Sequence, residues 1–308
     1  MVFKSVADEA HMDAPRAIVC MLFATALISL NDALVKSLAG SYPVGQVLFM
    51  RGVLVLPWIV LLAYFLGGVK LLKVKNVRGQ AFRAVFVVGS SFLFVNGLIH
   101  LKLADAIAVT FTGPLFITAL APLALGERVG WRRWLAVLVG FAGVLFIVRP
   151  DGGVIHWAVL FPLGAALCGS IRDLITRRIS QTETSVAVLF FTTCTVIAAS
   201  SLTLPFAWVP LGMDDLMIFA ISALFVASGQ YLMIEAFRHG EAGLVAPLKY
   251  SFMIWAVLFG YLLFGELPDG WTVVGTLIVA AASLYVLQRE LRFTKRPVSA
   301  GPRPPMRT

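Results

Sequence analysis

Ser29-Leu30-Asn31-Asp32-Ala33-Leu34-Val35-Lys36 has a counterpart further along the chain, Ser170-Ile171-Arg172-Asp173-Leu174-Ile175-Thr176-Arg177. Both segments set a serine, an aspartate and, four residues after the aspartate, a basic residue into an apolar run. Two later pairs keep the register with small gaps. Leu125-Gly126-Glu127 followed by Trp131 lies over Phe264-Gly265-Glu266 followed by Trp271, and Asp105-Ala106 lies over Glu241-Ala242. Apolar matches alone arise easily by chance; matched charges and Gly-Glu turns do so less easily. The shift of about 140 residues divides the chain into two similar halves.

The chain has 308 residues, of which 59% are hydrophobic and 13% charged, with a mean hydropathy of +0.90. A soluble globular chain is nearer a quarter charged, so water-soluble enzymes and nucleic-acid modules fit poorly. Disorder also fails, since it needs low hydrophobicity and high net charge. Apolar runs bounded by Gly, Pro or charges mark ten spans, at 17–38, 44–66, 81–101, 106–125, 133–149, 155–176, 185–204, 216–237, 243–264 and 271–288. Runs of this length predict helices, because a barrel strand needs only about ten residues and alternates in polarity. The expected fold class is an all-α membrane protein: ten transmembrane helices, as two five-helix repeats around a central cavity. An odd number of spans per repeat inserts the second copy upside down, and inverted repeats characterise secondary transporters. The expected divisions are an N-terminal segment 1–16, a first repeat 17–150, a second repeat 151–290 and a basic, Pro-rich tail 291–308, read as disordered.

The net charge of +9 is a topology signal. With ten spans, Lys4, Arg16, Lys70, Lys73, Lys75, Arg78, Arg83, Arg128, Arg132, Arg133, Arg177, Arg178, Arg238 and the basic tail share one side, against Lys102 and Arg149 on the other. The positive-inside rule then places both termini in the cytoplasm. The first apolar run is too long for a cleaved signal and reads as a retained span. Cys20, Cys168 and Cys194 lack CxxC spacing and read as small core residues.

An ionisable side chain inside a span costs a few kcal/mol, so it pairs or lines water. Asp32 and Lys36, four apart, share a helix face in the outer part of helix 1, and Arg51 enters helix 2 from the same side. Together they would bind a polar substrate or gate it, or else form a self-neutralising pair with snorkelling ends. Asp173 is the inner-gate equivalent of Asp32, beside the anchor Arg177-Arg178. Lys249 follows Pro247 and precedes Tyr250. A proline frees a carbonyl one turn back, which is tolerable at depth only where protein or water covers it. Lys249 is therefore the leading substrate ligand, the alternative being a pair with Glu235. Pro114, with Thr110 and Thr112, makes a similar site in helix 4, and both prolines are expected hinges. Asn96 and His100 on helix 3, and Gln230 and Tyr231 on helix 8, serve as ligands or as interhelical glue. Phe92, Phe94, Phe111 and Trp255 could stack on a flat ring or simply pack. Glu127 and Glu266 read as loop braces, and Asp105 and Glu241 suit helix N-termini.

There is no GxxxxGK[ST] loop for ATP, no HExxH and no GxSxG. The four histidines are scattered, so neither a metal nor another cofactor is expected. An intramembrane aspartyl protease is disfavoured: the residues before each Asp are Leu30-Asn31 and Ile171-Arg172, and a dyad must share a proton that a basic neighbour would expel. The expected partners are a small-molecule substrate and the lipid bilayer, without nucleic acid. The sequence does not specify an oligomeric state.

Leu103-Ala104-Asp105-Ala106, Phe111-Thr112-Gly113-Pro114-Leu115-Phe116 and Leu125-Gly126-Glu127-Arg128 resemble the fourth-helix region of the drug/metabolite transporter superfamily, EamA type. Ala246-Pro247-Leu248-Lys249-Tyr250, Phe264-Gly265-Glu266 and Leu284-Tyr285-Val286-Leu287 form the partner pattern in the second half. The resemblance covers about residues 17–290. It implies ten helices around a cavity lined mainly by helices 1, 3, 4, 6, 8 and 9, and a protein that is not an enzyme. The opening Asn31-Asp32-Ala33-Leu34-Val35-Lys36 and Tyr42-Pro43 resemble bacterial metabolite-uptake members of that superfamily, such as riboflavin and S-adenosylmethionine transporters. That resemblance implies uptake of riboflavin or a similar heteroaromatic nutrient. Export of amino acids or other metabolites is the alternative within the class, and a membrane-embedded enzyme or non-transporting assembly partner lies outside it.

Overall fold

The computed structural model describes residues 13–125, 130–148, 157–179, 184–206, 208–239 and 242–294. Twelve helices follow in order among these residues: α1 Ala14–Ala39, α2 Val44–Leu66, α3 Val77–His100, α4 Leu103–Thr110, α5 Gly113–Leu125, α6 Trp131–Val148, α7 Leu160–Ile179, α8 Ser185–Ser201, α9 Met213–His239, α10 Ala242–Leu248, α11 Ser251–Phe264 and α12 Gly270–Thr294. No strand occurs among the described residues. Ten spans account for the twelve helices, because the fourth is split into α4 and α5 and the ninth into α10 and α11. Sequence boundaries shift by a few residues: helix 3 starts at Val77 rather than 81, and α8 stops at Ser201 rather than 204.

Local signals explain several ends. The Asp13 carboxylate accepts the Arg16 N–H at 3.2 Å, with Pro15 in the first turn of α1. Asn76 caps α3 through the Gly79 N–H at 2.9 Å, and Thr184 caps α8 through the Ala187 N–H at 3.2 Å. Gly265 ends α11 in the left-handed region (φ 66°), where a Cβ would be strained.

Among the described residues, seven helical stretches are long and apolar enough to cross a membrane, and Val186–Ser201 and Ser251–Phe264 are shorter apolar helices. Leu138 and Leu145 on α6, Ile254 and Leu262 on α11 and Leu277 on α12 are all at least 60% exposed. In water such surfaces would drive association; in lipid they face their solvent.

The packing carries the repeat. Spans 1 to 5 correspond to spans 6 to 10. Span 1 packs on span 8 (α1 on α9), and its mate is span 6 on span 3 (α7 on α3). Span 2 on span 7 (α2 on α8) and span 5 on span 10 (α6 on α12) are their own mates. A two-fold relation between the halves therefore runs through all the main contacts, as inverted five-helix repeats require. Small residues permit the close approaches. A Cβ on Gly275 of α12 would lie 2.6 Å from the Gly143 carbonyl oxygen of α6, and one on Gly229 of α9 would lie 3.1 Å from that of Ala24 in α1.

The three cysteines are free and half-buried rather than core. Expectations for segment 1–12, Glu127, Arg128, Arg149, Glu241 and the tail after 294 lie outside the described residues, as do those for the side chains of Arg177, Arg178 and Arg238.

Candidate functional site

Two helix breaks build the site. Residues 111–112 separate α4 from α5, and residues 249–250 separate α10 from α11, at corresponding positions of the two halves. At the first break, Pro114 sits in the opening turn of α5, where its missing N–H costs nothing. The threonine hydroxyls close the freed backbone: Thr110 donates to the Ile107 carbonyl and Thr112 to that of Val109, both at 2.7 Å. At the second break, Pro247 comes before the gap rather than after it, and the turn is held by Tyr250 N–H to the Pro247 carbonyl at 3.1 Å.

Between the breaks lies a cavity of about 470 Å³, a size that suits a small organic ligand. Lys249 and Tyr250 come from the second break, Thr110, Phe111 and Pro114 from the first, and Arg172 and Asp173 from α7. Ser90 and Phe94 of α3, Ser170 of α7 and Ser283 of α12 complete the polar and aromatic lining. Phe111 and Tyr250 rings sit 5.0 Å apart, inclined by 38°. Ser283 donates to the Phe111 carbonyl at 3.2 Å, and the Tyr250 hydroxyl bonds Ser283. Arg172 Nε meets Asp173 Oδ1 at 2.8 Å, and the Asp173 side chain is half exposed. Lys249 is exposed to the cavity and makes no hydrogen bond or ion pair with a described residue; its charged neighbours are Asp173 and Arg172.

The remaining predicted residues go elsewhere. Arg51, Gln230 and Tyr231 line a second cavity of about 460 Å³ between α2, α3, α8 and α9, with Thr192 and Thr193. Asp32 is buried, accepts Asn31 Nδ2 at 2.9 Å and interacts with the Arg51 charge; Asn31 Oδ1 in turn accepts Ser222 Oγ at 2.7 Å. Asn96 bonds back to the Phe92 carbonyl of its own helix at 2.7 Å. His100 packs against Trp157 and Phe161 at 4.9 and 6.0 Å, at the end of the bundle. Of the aromatic candidates, Phe94 and Phe111 reach the first cavity, Phe92 packs in the core, and Trp255 stacks on Phe259 at 6.2 Å.

Three expectations need correction. Lys36 does not join an Asp32–Lys36–Arg51 cluster. Its ammonium donates to both Glu266 oxygens at 2.6 Å and to the Leu101 carbonyl at 2.9 Å, above the Phe264 ring. Glu266 also accepts the Leu103 N–H at 3.0 Å. Sharing a helix face did not decide the pairing, because a carboxylate from the other half is nearer. Lys249 does not pair with Glu235, which meets His239 at 3.1 Å and Arg16 at 3.8 Å instead. Arg83 is not a loop charge. It is buried, donating through Nε to Thr176 and through Nη1 to Thr192, each at 2.6 Å. It lies only two residues inside the 81–101 run, where a basic residue reads as a span-end charge.

The Lys36–Glu266 contact ties α1 and the α3–α4 junction to the end of α11, and Lys102 Nζ adds a bond to the Leu267 carbonyl at 2.9 Å. At the same end, Tyr42 donates to Asp215 Oδ2 at 2.6 Å, and Gln46 exchanges two bonds with Val209 at 2.7 and 3.0 Å. These contacts join the two halves at that end of the bundle. No group of three or more His, Cys, Asp or Glu suited to a metal occurs among the described residues.

The chain is 34% identical over 207 residues to the riboflavin transporter of Rhizobium johnstonii, covering 66% of this chain and 68% of that relative. It is 27% identical to the S-adenosylmethionine uptake transporter of Rickettsia prowazekii, covering 85% and 89%, and 26% identical to the pseudopaline exporter of Pseudomonas aeruginosa, covering 85% and 93%. A solved crystal structure at 19% identity superposes with a TM-score of 0.59 over 91% of this chain and 99% of that one, which is a likeness of fold. The EamA-like transporter family model matches residues 15–149 and 156–288, one copy on each half. A ten-span bundle of two repeats, with a cavity between paired helix breaks and both halves matched, makes this chain a multi-pass membrane transporter of the EamA-like transporter family, not an enzyme.

Proposed function

We propose that the chain takes up riboflavin or a similar heteroaromatic nutrient by alternating access, in a bacterial inner membrane with both termini in the cytoplasm. The observation that carries this reading is the cavity between the breaks. It offers a tilted aromatic pair, Phe111 and Tyr250, beside an ammonium, Lys249, that no described residue engages. A flat ring packs on the aromatic pair, and a donor without a partner suits a carbonyl-rich ring edge. Asp173, half exposed on the cavity wall, marks the open side, while the Lys36–Glu266 contact closes the opposite end. In this reading the conformation opens towards the cytoplasm, and the two proline-flanked breaks are the hinges about which the halves rock. The bilayer and a small organic solute are the partners, and no cofactor takes part.

The test is uptake of labelled riboflavin by a bacterial riboflavin auxotroph expressing the chain. Saturable accumulation above the empty control, lost in Lys249→Ala with membrane insertion intact, is the expected result. Equal accumulation with and without the chain, with the protein shown to be in the membrane, would overturn the riboflavin assignment. Full uptake by Lys249→Ala would remove Lys249 from the mechanism. Export of a zwitterionic metabolite is the second reading, favoured by the 2.8 Å Arg172–Asp173 pair, which offers both signs of charge on one wall.

A further inference from the structure

The cavity between the breaks carries an imbalance of charge. Arg172 and Lys249 line it, with Asp173 as the carboxylate among its lining residues. Arg83 stands behind that wall, bonded to Thr176 one turn along α7 and to Thr192 of α8, and it acts electrostatically on both Arg172 and Asp173. Asp173 is already engaged by Arg172 Nε at 2.8 Å. Arg83 therefore holds two neutral hydroxyls and, among the described residues, no carboxylate. Three cations thus stand around one carboxylate in a low-dielectric region, where uncompensated charge is costly and its field is weakly screened.

We propose that, among flat-ring solutes, this cavity prefers those bearing an acid group, a carboxylate or phosphate on the ring or on a side chain of it, and that Arg83 is a positioning residue that sets this preference from behind the wall. This rests on reading the Lys249 cavity as the transport site. An entering anion supplies the counter-charge that the described residues lack. Lys249 donates to it directly, and Arg172, held by Asp173, presents its remaining N–H groups beside it. Arg83 does not touch the solute. Its fixed charge raises the potential of the wall and offsets part of the Asp173 charge at the Arg172–Asp173 pair. A sulfonium or other cationic solute meets the same potential as repulsion, so the charge inventory separates the solute classes named for this chain's relatives.

The experiment is equilibrium binding to the purified full chain in lipid nanodiscs, using matched ring compounds. Riboflavin and riboflavin 5′-phosphate form one pair, nicotinamide and nicotinate a second, and S-adenosylmethionine is the cationic arm. The expected result is that the acid of at least one pair binds about tenfold or more tighter than its neutral mate, with the cation weakest. Arg83→Gln should reduce that ratio by about threefold or more without changing affinity for the neutral mate, while Arg83→Lys keeps it. A merely structural arginine would move both members of a pair together. If Arg83→Gln does not fold, Arg172→Gln should reduce the same ratio. Equal or tighter binding of the neutral mates overturns the proposal, as does failure of every acid to bind at about 1 mM. If riboflavin is not transported but the acid preference holds, the riboflavin assignment falls and this inference stands. Transport of riboflavin with no acid preference has the reverse meaning.

Discussion

Lys36 and Lys249 are the same residue type in the same kind of place, a lysine within an apolar span, one in each half. Lys36 is tied by Glu266, the Leu101 carbonyl and the Phe264 ring, and its side chain is only 10% exposed. Lys249 stands at a helix break, exposed to a cavity, with charged neighbours but no bond to a described residue. Both meet the cost of a charge at depth, but by different means. One is compensated by protein and fastens the halves at one end; the other has no bond to a described residue, which under the proposed function leaves it for the solute. A buried cation therefore signals function less by its depth than by whether the fold has already supplied its counter-charge.

The sharpest way to break this comparison is to remove each lysine. Lys249→Ala should lower transport by about 10- to 100-fold, the value of a charged hydrogen bond to solute, with little change in melting temperature. Flux measured in liposomes alongside thermal unfolding checks it; unchanged flux would make the two lysines equivalent in idleness. Glu266→Gln should act mainly on stability, by about 2 kcal/mol, a value discounted because Glu266 is 26% exposed. The loss should be partly recovered in the double variant with Lys36→Met. No recovery would mean that Glu266 acts through the Leu103 N–H alone.

Gly275→Ala tests a contact remote from both lysines. Its Cβ would meet the Gly143 carbonyl at 2.6 Å, a backbone atom that cannot swing away, so α6 and α12 must separate. We expect a loss of about 1–2 kcal/mol in thermal unfolding with solute affinity unchanged. A loss of affinity would show that the cavity depends on the seam between spans 5 and 10. The smallest effect is expected at Tyr42, whose phenol is pushed above its ordinary value of 10.0, chiefly by its hydrogen bond to the Asp215 carboxylate. A raised phenol pKa adds stability below the ordinary value, lost as pH rises through the raised one. Tyr42→Phe should therefore lower stability slightly at neutral pH and cease to differ from the parent in strongly alkaline solution. A difference that persists there would assign the effect to packing against Phe219.

Helix breaks and cavity-lining residues were legible to different degrees. Pro114 and Pro247 flank both breaks, but Pro57 and Pro122 sit inside the unbroken α2 and α5, so a missing N–H alone does not decide where a helix breaks. Lys249, Tyr250, Thr110 and Asp173 were singled out separately and do share one cavity. Arg51, Gln230 and Tyr231 look much alike in sequence, yet they line another cavity, since which faces of ten similar helices converge is set by packing. His100 and Asn96 have a helix spacing that fits a ligand pair, but one packs on aromatics and the other bonds its own backbone. Arg83 was missed because a basic residue near a span end reads the same whether it faces water or two threonines.

What the sequence determined by itself was the set of spans, their number, the doubling of the chain and hence the inverted relation of the halves. Each follows from hydropathy, spacing and parity, which need no knowledge of neighbours. The packing of the halves settled that Lys36 belongs to Glu266, that Glu235 belongs to His239 and Arg16, and that Lys249 shares a cavity with Arg172 and Asp173 without bonding a described residue. In a bilayer every helix is apolar over most of its surface, so hydrophobic patterning barely distinguishes inward from outward faces. Charge compensation then depends on contacts across more than a hundred residues, and those exist only once the halves have packed.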